Sequence, residues 1–413
     1  METKHYDLTE ILLAVSGVVD MMEPALADHH RRVAYLSVEL GRTMGLSNES
    51  LKKLFYSSLV HDLGAFRTSE RLSLLNFEEI EPERHSICGA RLLNNCSPLH
   101  ELSPIVLCHH QRWDVITEDD VPLESWIIHL ADRVAVALFP SEVDLDRVQA
   151  IREKLLSDAG IKFKPEVVDA FIGLAEREAF WFDLAYRMED ESLLLAESEN
   201  FSSKITLEEL FHVAKLFCAV VDFRSPFTAT HSCGVAAISS AIAKLDGWSS
   251  SQCLEMEIAG LVHDLGKMAV PEEIIEKPDA LNIKEWWIMK QHPYHSSRVL
   301  SGIKGLEKIQ RAAAYHHELW TNRAYPFHVD ISDVPIEAHM LAVADVFTAL
   351  TESRPYRKAG DKKEVLSNLM MFCKNSVISD KVIANVGDNF TELDLIREAA
   401  QESALQEYRT LLN

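Results

Sequence analysis

Apolar residues recur at three- and four-residue spacing along most of the chain, most plainly in LKKLFYSSLV at 51–60 and LEMEIAGLV at 254–262. That period lays one apolar stripe along a helix, and the stripe must be buried against a neighbour. The segments HLADRVAVAL and AVADVFTAL read the same way. No stretch alternates with period two long enough to predict a sheet, and Pro and Gly fall mainly between the helical segments. The expected fold is all-α. At 413 residues the chain exceeds one ordinary core, so two tandem helical bundles are expected, over 1–190 and 200–413. The polar stretch MEDESLLLAESENFSSK at 188–204 is the expected junction.

The chain also repeats itself. His29 is followed by His61-Asp62 in SSLVHDLGA, and His231 by His263-Asp264 in AGLVHDLGK. A single histidine comes next in each copy, His85 in HSICGARLL and His292 in HPYHSSRVL. Twenty-four residues further on lie the doublets His109-His110 and His316-His317, and Asp132 or Asp345 closes each set. The offset between copies drifts from 202 to 207 to 213 residues, as expected when length changes fall in loops.

Adjacent His and Asp on a helix offer a nitrogen and a carboxylate to one locus, and a carboxylate can bridge two cations. One ion fits His231, His263, Asp264 and Asp345; a second fits Asp264, His292, His316 and His317. Imidazole and carboxylate without thiolate suit divalent iron, manganese, nickel or zinc. Two such ions about 3.5–4 Å apart can clamp a phosphate and activate a shared water. A lone histidine is more often structural than a ligand, and one HD pair carries little; the same ligand-type residues in the same order twice carry the metal reading. Lys267, three residues after Asp264, faces the same side of a helix and is placed to bind the scissile phosphate or assist the leaving oxygen.

Composition narrows the partners. A net charge of −23 disfavours DNA or RNA, whose binding needs a basic footprint. Arg354, Arg357, Lys358, Lys362 and Lys363 form one of the few basic clusters, suited to a small anionic ligand. The seven cysteines are scattered without a CxxC pair, which argues against a disulfide framework or a zinc ribbon. No run approaches the ~18 apolar residues of a membrane span, so no membrane partner is expected and the chain reads as cytoplasmic. The apolar helices of the first half would suit a homodimer interface.

Residues 231–357 resemble the HD-GYP family of bacterial cyclic-dinucleotide phosphodiesterases. The resemblance rests on HDLGK (His263 to Lys267), HP (His292-Pro293), HHE (His316 to Glu318), YP (Tyr325-Pro326) and RPYR (Arg354 to Arg357). It implies hydrolysis of cyclic di-GMP or 3′,3′-cyclic GMP-AMP to linear products. It makes His231, His263, Asp264, His292, His316, His317 and Asp345 the metal ligands, with Asp264 and Lys267 catalytic. Lys267, Tyr325, Arg354 and Arg357 would contact the substrate. Phe227 stands where trinuclear relatives carry a glutamate, which implies two ions rather than three.

The departures bear on selectivity. HHELWTNRAYP stands where the family pattern is HHExxDGxGYP, so Thr321, Asn322 and Ala324 replace Asp, Gly and Gly, and the lost glycines restrict the loop. Such a change fits cyclic GMP-AMP at least as well as cyclic di-GMP. The first copy keeps His29, His61, Asp62, His85, His109, His110 and Asp132, yet Ala65 replaces the lysine and no YP or RPYR follows. It reads as a degenerate domain that binds metal without turnover, or as a metal-free structural relic. Two other functions stay open: an HD phosphohydrolase acting on a mononucleotide or alarmone, and a non-catalytic cyclic-dinucleotide-binding adaptor.

Overall fold

The computed structural model describes residues 4–22, 27–74, 77, 83–115, 120–138, 144–186, 200–225, 230–319, 324–352, 359–372 and 377–412. They form two compact units, Asp7–Ser203 and Met1–Tyr6 with Lys204–Asn413. The fold is all-α. Among the described residues the strands are two-residue pieces, Tyr6–Asp7 and Lys204–Ile205. No helix among them is long and apolar enough to cross a membrane. Most of the expected junction, residues 188–199, lies outside the described residues.

The units repeat one order of helices. Leu8–Asp20, His29–Thr43, Asn48–Val60, Glu83–Asn94 and Leu123–Leu138 build the first. Leu207–Asp222, His231–Leu245, Ser250–Val262, His292–Ser301 and Ile336–Thr351 answer them in the second. The starts are set by caps: Ser47 Oγ accepts from Ser50 N at 3.2 Å, and Ser249 with Gln252 closes a capping box. Such caps satisfy backbone donors that the first turn leaves free.

Within the first unit, Leu123–Leu138 is apolar on nearly every side. Ile127, Leu130 and Val134 are fully buried in one cluster with Val33, Leu36, Leu40, Val167 and Phe171. Each such side chain contributes about 1.5–3 kcal/mol relative to exposure. In the second unit Met340, Leu341, Val343 and Phe347 bury the matching helix, Ile336–Thr351. These central helices carry Asp132 and Asp345, so the most deeply packed element of each unit also delivers a carboxylate.

One glycine per unit lets the HD turn meet the helix of the next histidine. A Cβ at Gly266 would lie 2.0 Å from the His292 carbonyl oxygen and 2.7 Å from Ser296 N. A Cβ at Gly64 would lie 2.0 Å from the His85 carbonyl oxygen. Ser296 clips the second junction, because its Oγ donates to His263 O at 2.8 Å and accepts from Gly266 N at 2.9 Å. Gly266→Ala should therefore force backbone apart at the metal-ligand turn. We expect a loss of about 2 kcal/mol, or a thermal midpoint lower by about 4–8 °C. An unchanged midpoint in calorimetry would show that the two helices can separate freely.

Candidate functional site

The imidazoles are aimed by their own helix ends. His263 follows Ser250–Val262, and its Nδ1 donates to Gly260 O at 2.7 Å. His316 donates to Ala313 O at 2.7 Å and His292 to Met289 O at 2.8 Å. In the first unit His61 donates to Ser58 O at 2.8 Å and His109 to Val106 O at 2.6 Å. A carbonyl oxygen can only accept, so Nδ1 carries the proton and Nε2 presents a lone pair. The carbonyls used lie in the last turn of a helix or just before one, where acceptors are left without intrahelical partners.

In the second unit these lone pairs converge around Asp264. His263 Nε2 lies 3.1 Å from Asp264 Oδ2, and His292 Nε2 lies 3.3 Å from Oδ1. His231 Nε2 is 3.2 Å from Asp345 Oδ1. The donor atoms of His231, His263 and Asp264 fall within 4.8 Å of one another, as do those of His292, His316 and His317. His316 Nε2 is buried and hydrogen-bonds no atom among the described residues. A buried lone pair without a donor is costly unless a cation claims it. The donor set thus fits divalent metal, with one carboxylate facing two histidine groups.

Electrostatics divides the histidines. Burial lowers the His292 pKa to about 3 and that of His316 to about 4, so both stay neutral, the ligand form, at any ordinary pH. His231 goes the other way: burial opposes its charge, but Glu352 and Asp345 raise it to about 10. Burial would also raise the Asp264 pKa, yet His263 and Lys267 hold it well below the usual carboxylate range. Lys267 Nζ donates to Asp264 Oδ2 at 2.5 Å, so the half-buried ammonium sits against the carboxylate shared by both donor groups.

Several supporting residues escaped the sequence reading. Glu352 Oε1 lies 3.2 Å from His231 Nδ1 and completes a carboxylate–histidine pair. Asp222 accepts from Ser232 N at 3.0 Å and Ser232 Oγ at 2.9 Å, pinning the helix that begins with His231. Asp20 does the same for His30 in the first unit, and the shared 202-residue offset was a signal for both. Arg224 donates to the carbonyls of Lys267 at 2.7 Å and Val270 at 3.2 Å, bracing the lysine turn. Glu318 Oε1 accepts from Phe327 N at 2.6 Å and His328 N at 3.2 Å, which explains why the HHE glutamate precedes the YP loop.

Tyr325 is buried, its ring stacked 4.7 Å from that of His317. Trp286 meets it edge-on at 5.9 Å, and the Lys290 ammonium lies 5.5 Å from the Tyr325 ring centre. Lys362 and Lys363 are exposed at the start of Lys362–Phe372. Arg354, Arg357 and Lys358 lie outside the described residues, as do Phe227, Thr321 and Asn322.

The first unit assembles its full donor set. His85 Nε2 lies 3.2 Å from Asp62 Oδ1, 3.3 Å from His109 Nε2 and 3.0 Å from His110 Nε2. Four ligands at about 2.0–2.1 Å from a tetrahedral ion would stand about 3.3–3.4 Å apart, so the spacing suits one. On the other side of Asp62, His61 Nε2 is 3.4 Å from Oδ2, and His29 Nε2 is 3.3 Å from Asp132 Oδ1. Beside the donors the copies differ: buried Ala65 stands where Lys267 does, and Arg133 donates to Asp132 Oδ2 at 2.6 Å.

Comparison with known proteins agrees with this duplication. Models of the HD domain match residues 26–137 and 215–371. The chain is 29% identical over 373 residues to 3′3′-cGAMP-specific phosphodiesterase 1 of Vibrio cholerae, spanning 87% of this chain and 86% of that protein. A cyclic di-GMP phosphodiesterase of Thermotoga maritima is 32% identical over 179 residues, 43% of this chain and 48% of that protein. A crystal structure of a cyclic GMP-AMP specific phosphodiesterase of V. cholerae superposes with a TM-score of 0.65 at 20% identity, over 94% of this chain and 98% of that one. HD domains are metal-dependent, and likeness of this kind across both of them makes the chain a member of the HD-GYP family.

Proposed function

We propose that the chain is a metal-dependent phosphodiesterase that opens 3′,3′-cyclic GMP-AMP to a linear dinucleotide at the Asp264 centre. The observation that carries the chemistry is Asp264 itself, a buried carboxylate with one oxygen toward His292, the other toward His263, and a lysine at 2.5 Å. The choice of substrate follows the tandem architecture. Two relatives named for cyclic GMP-AMP align along 87% and 86% of this chain and a third along 36%, whereas those named for cyclic di-GMP align with less than half of it. Cyclic di-GMP is the second reading, because relatives named for it match the chain at 30% identity over 176 residues and 32% over 179.

His231, His263, Asp264 and Asp345 hold one divalent ion, and Asp264, His292, His316 and His317 hold the other; iron, manganese, nickel and zinc all suit such donors. When bound, the pair supplies water activation and neutralises charge on the phosphate. Lys267, held at the shared carboxylate, takes a phosphate oxygen or steadies the leaving oxygen. Arg224 keeps that lysine turn in place. The His317–Tyr325–Trp286 stack forms an aromatic wall beside the ligand histidines, suited to a nucleobase. Arg354 and Arg357 are expected to hold the substrate's phosphates. In the first unit His29, His61, Asp62, His85, His109, His110 and Asp132 bind metal as well, without the lysine for turnover.

Side-by-side hydrolysis of the two cyclic dinucleotides, with iron, manganese or nickel under reducing conditions, tests the reading. Cyclic GMP-AMP should be cleaved faster; equal rates would sink the preference, and silence on both with metal bound would sink the enzyme. Lys267→Ala should lower turnover about 100-fold with metal content unchanged, whereas Asp264→Ala should abolish both. Glu352→Gln should weaken metal retention against a chelator about 10-fold or more.

The buried histidines set the acid limit of the metal-free chain. His292 and His316 have pKa values of about 3 and 4 in the fold, against 6.5 when unperturbed. As pH falls from 6.5 toward 4, the unfolded chain takes up protons that the folded chain refuses, so stability declines. His231, raised to about 10, acts oppositely: its contribution is complete below 6.5 and fades as pH rises toward 10. Chelator-treated protein should thus melt at a lower temperature at pH 4.5 than at 6.5. A flat profile over that range would contradict neutral imidazoles at the centre.

A further inference from the structure

Arg71 has no role in the site described so far. It lies in Thr68–Leu74, just after the first HD turn, and is 1% exposed. Its Nε and Nη2 hydrogen-bond no atom among the described residues. A guanidinium is rarely buried without a partner, since its five donors lose their water. It is within electrostatic reach of Asp62 and Asp20, yet is bonded to neither. Arg133 differs, being committed to Asp132 at 2.6 Å. At the 202-residue offset the second copy carries Glu273, so the cation belongs to the first copy alone.

The surroundings favour a phosphate. The first unit presents Asp62 Oδ1 and the Nε2 atoms of His85, His109 and His110 at the spacing of a metal's ligands. His110 and Ser86 border a cavity of about 530 Å³, so the cluster can be reached. Ala65 offers no charge where Lys267 does in the second copy. Guanidinium is the side chain best shaped to grip phosphate oxygens, and an unsatisfied one beside a metal cluster is placed to do so.

We propose that Arg71 is the anion-binding residue of the first unit, taking a phosphate oxygen of a ligand held at the Asp62 cluster. The proposal rests on the reading that this cluster binds metal. It makes the first unit a receptor for a phosphorylated small molecule, with arginine in place of lysine as the cation.

The test uses the full chain carrying Asp264→Ala and Lys267→Ala, which silences the second centre. Manganese is supplied, metal is counted by mass spectrometry, and inorganic phosphate is titrated calorimetrically. Phosphate should bind, and adding Arg71→Gln should weaken it at least ten-fold with metal content unchanged, while Arg71→Lys retains part of the affinity. Phosphate binding that ignores Arg71→Gln, or no binding with metal present, overturns the proposal. Absence of metal would refute the metal reading by itself. Phosphate affinity would then still decide on Arg71: sensitivity to Arg71→Gln upholds it as the anion-binding residue of a metal-free unit, and insensitivity or no binding overturns the proposal. Should Arg71→Gln fail to fold, crystals of the otherwise unaltered chain soaked in molybdate decide instead. An anomalous peak within hydrogen-bond reach of the Arg71 guanidinium supports the assignment, and no peak in the first unit overturns it.

Discussion

A short hydrogen bond, from a histidine Nδ1 to the carbonyl three residues earlier, organises both halves of this protein. His61, His109, His263, His292 and His316 all make it. The bond uses a backbone acceptor that a helix end leaves over, and it fixes tautomer and ring direction together. Without it each imidazole would be free to turn its proton inward, and the lone pairs would not converge. The helix ends must therefore fall at the histidines. The serine caps at the far ends of Asn48–Val60 and Ser250–Val262 fix those helices as much for function as for stability.

Around this scaffold the charges are arranged at a cost to the metal-free fold. Burial disfavours every ionised group in the Asp264 cluster, and Asp264 and Asp345 stay charged because His263, Lys267 and His231 stand beside them. Removing one partner would strand a buried charge, which generally destabilises more than the pair ever contributed. Glu352 shows how far the arrangement extends. It lies beyond the donor atoms, yet it fixes His231 through Nδ1, as the backbone carbonyls do for the other rings. Metal ions in such a cluster would convert an electrostatic burden into coordination energy, coupling stability to loading.

What could be read from sequence follows the range of the interactions. Helices, caps and the duplicated order of histidines are local or periodic, so the all-α tandem fold and the residues that meet at each cluster were legible. The supports were not. Glu352 reaches His231 across 121 positions, and Arg224 reaches Val270 across 46, with no motif to announce either. Asp20 and Asp222 were readable in principle, since they obey the same offset as the histidines, but a lone aspartate at a helix end is ordinary. Tyr325 was expected to face substrate. Its ring packs on His317 and Trp286, a stack that no local pattern announces, because Trp286 lies 39 positions away in the chain.

The two copies diverge in the groups that act on a ligand rather than in those that can hold metal. Both keep a carboxylate shared between histidine sets, and both keep the glycine that lets the HD turn touch the next helix. These features are interlocked, because moving any donor disturbs the helix crossing that positions the rest. Lys267 is under no such constraint. It projects from a short turn braced by one arginine, and the first unit, with Ala65 at the matching position, still brings its own donor set together. Arg71 and Arg133 then supply positive charge to the first unit, the first with Nε and Nη2 that hydrogen-bond no atom among the described residues, the second tied to Asp132. On the proposed reading, duplication of a metal scaffold lets one copy keep turnover while the other changes its cation, and a change of cation alters what a phosphate does once bound.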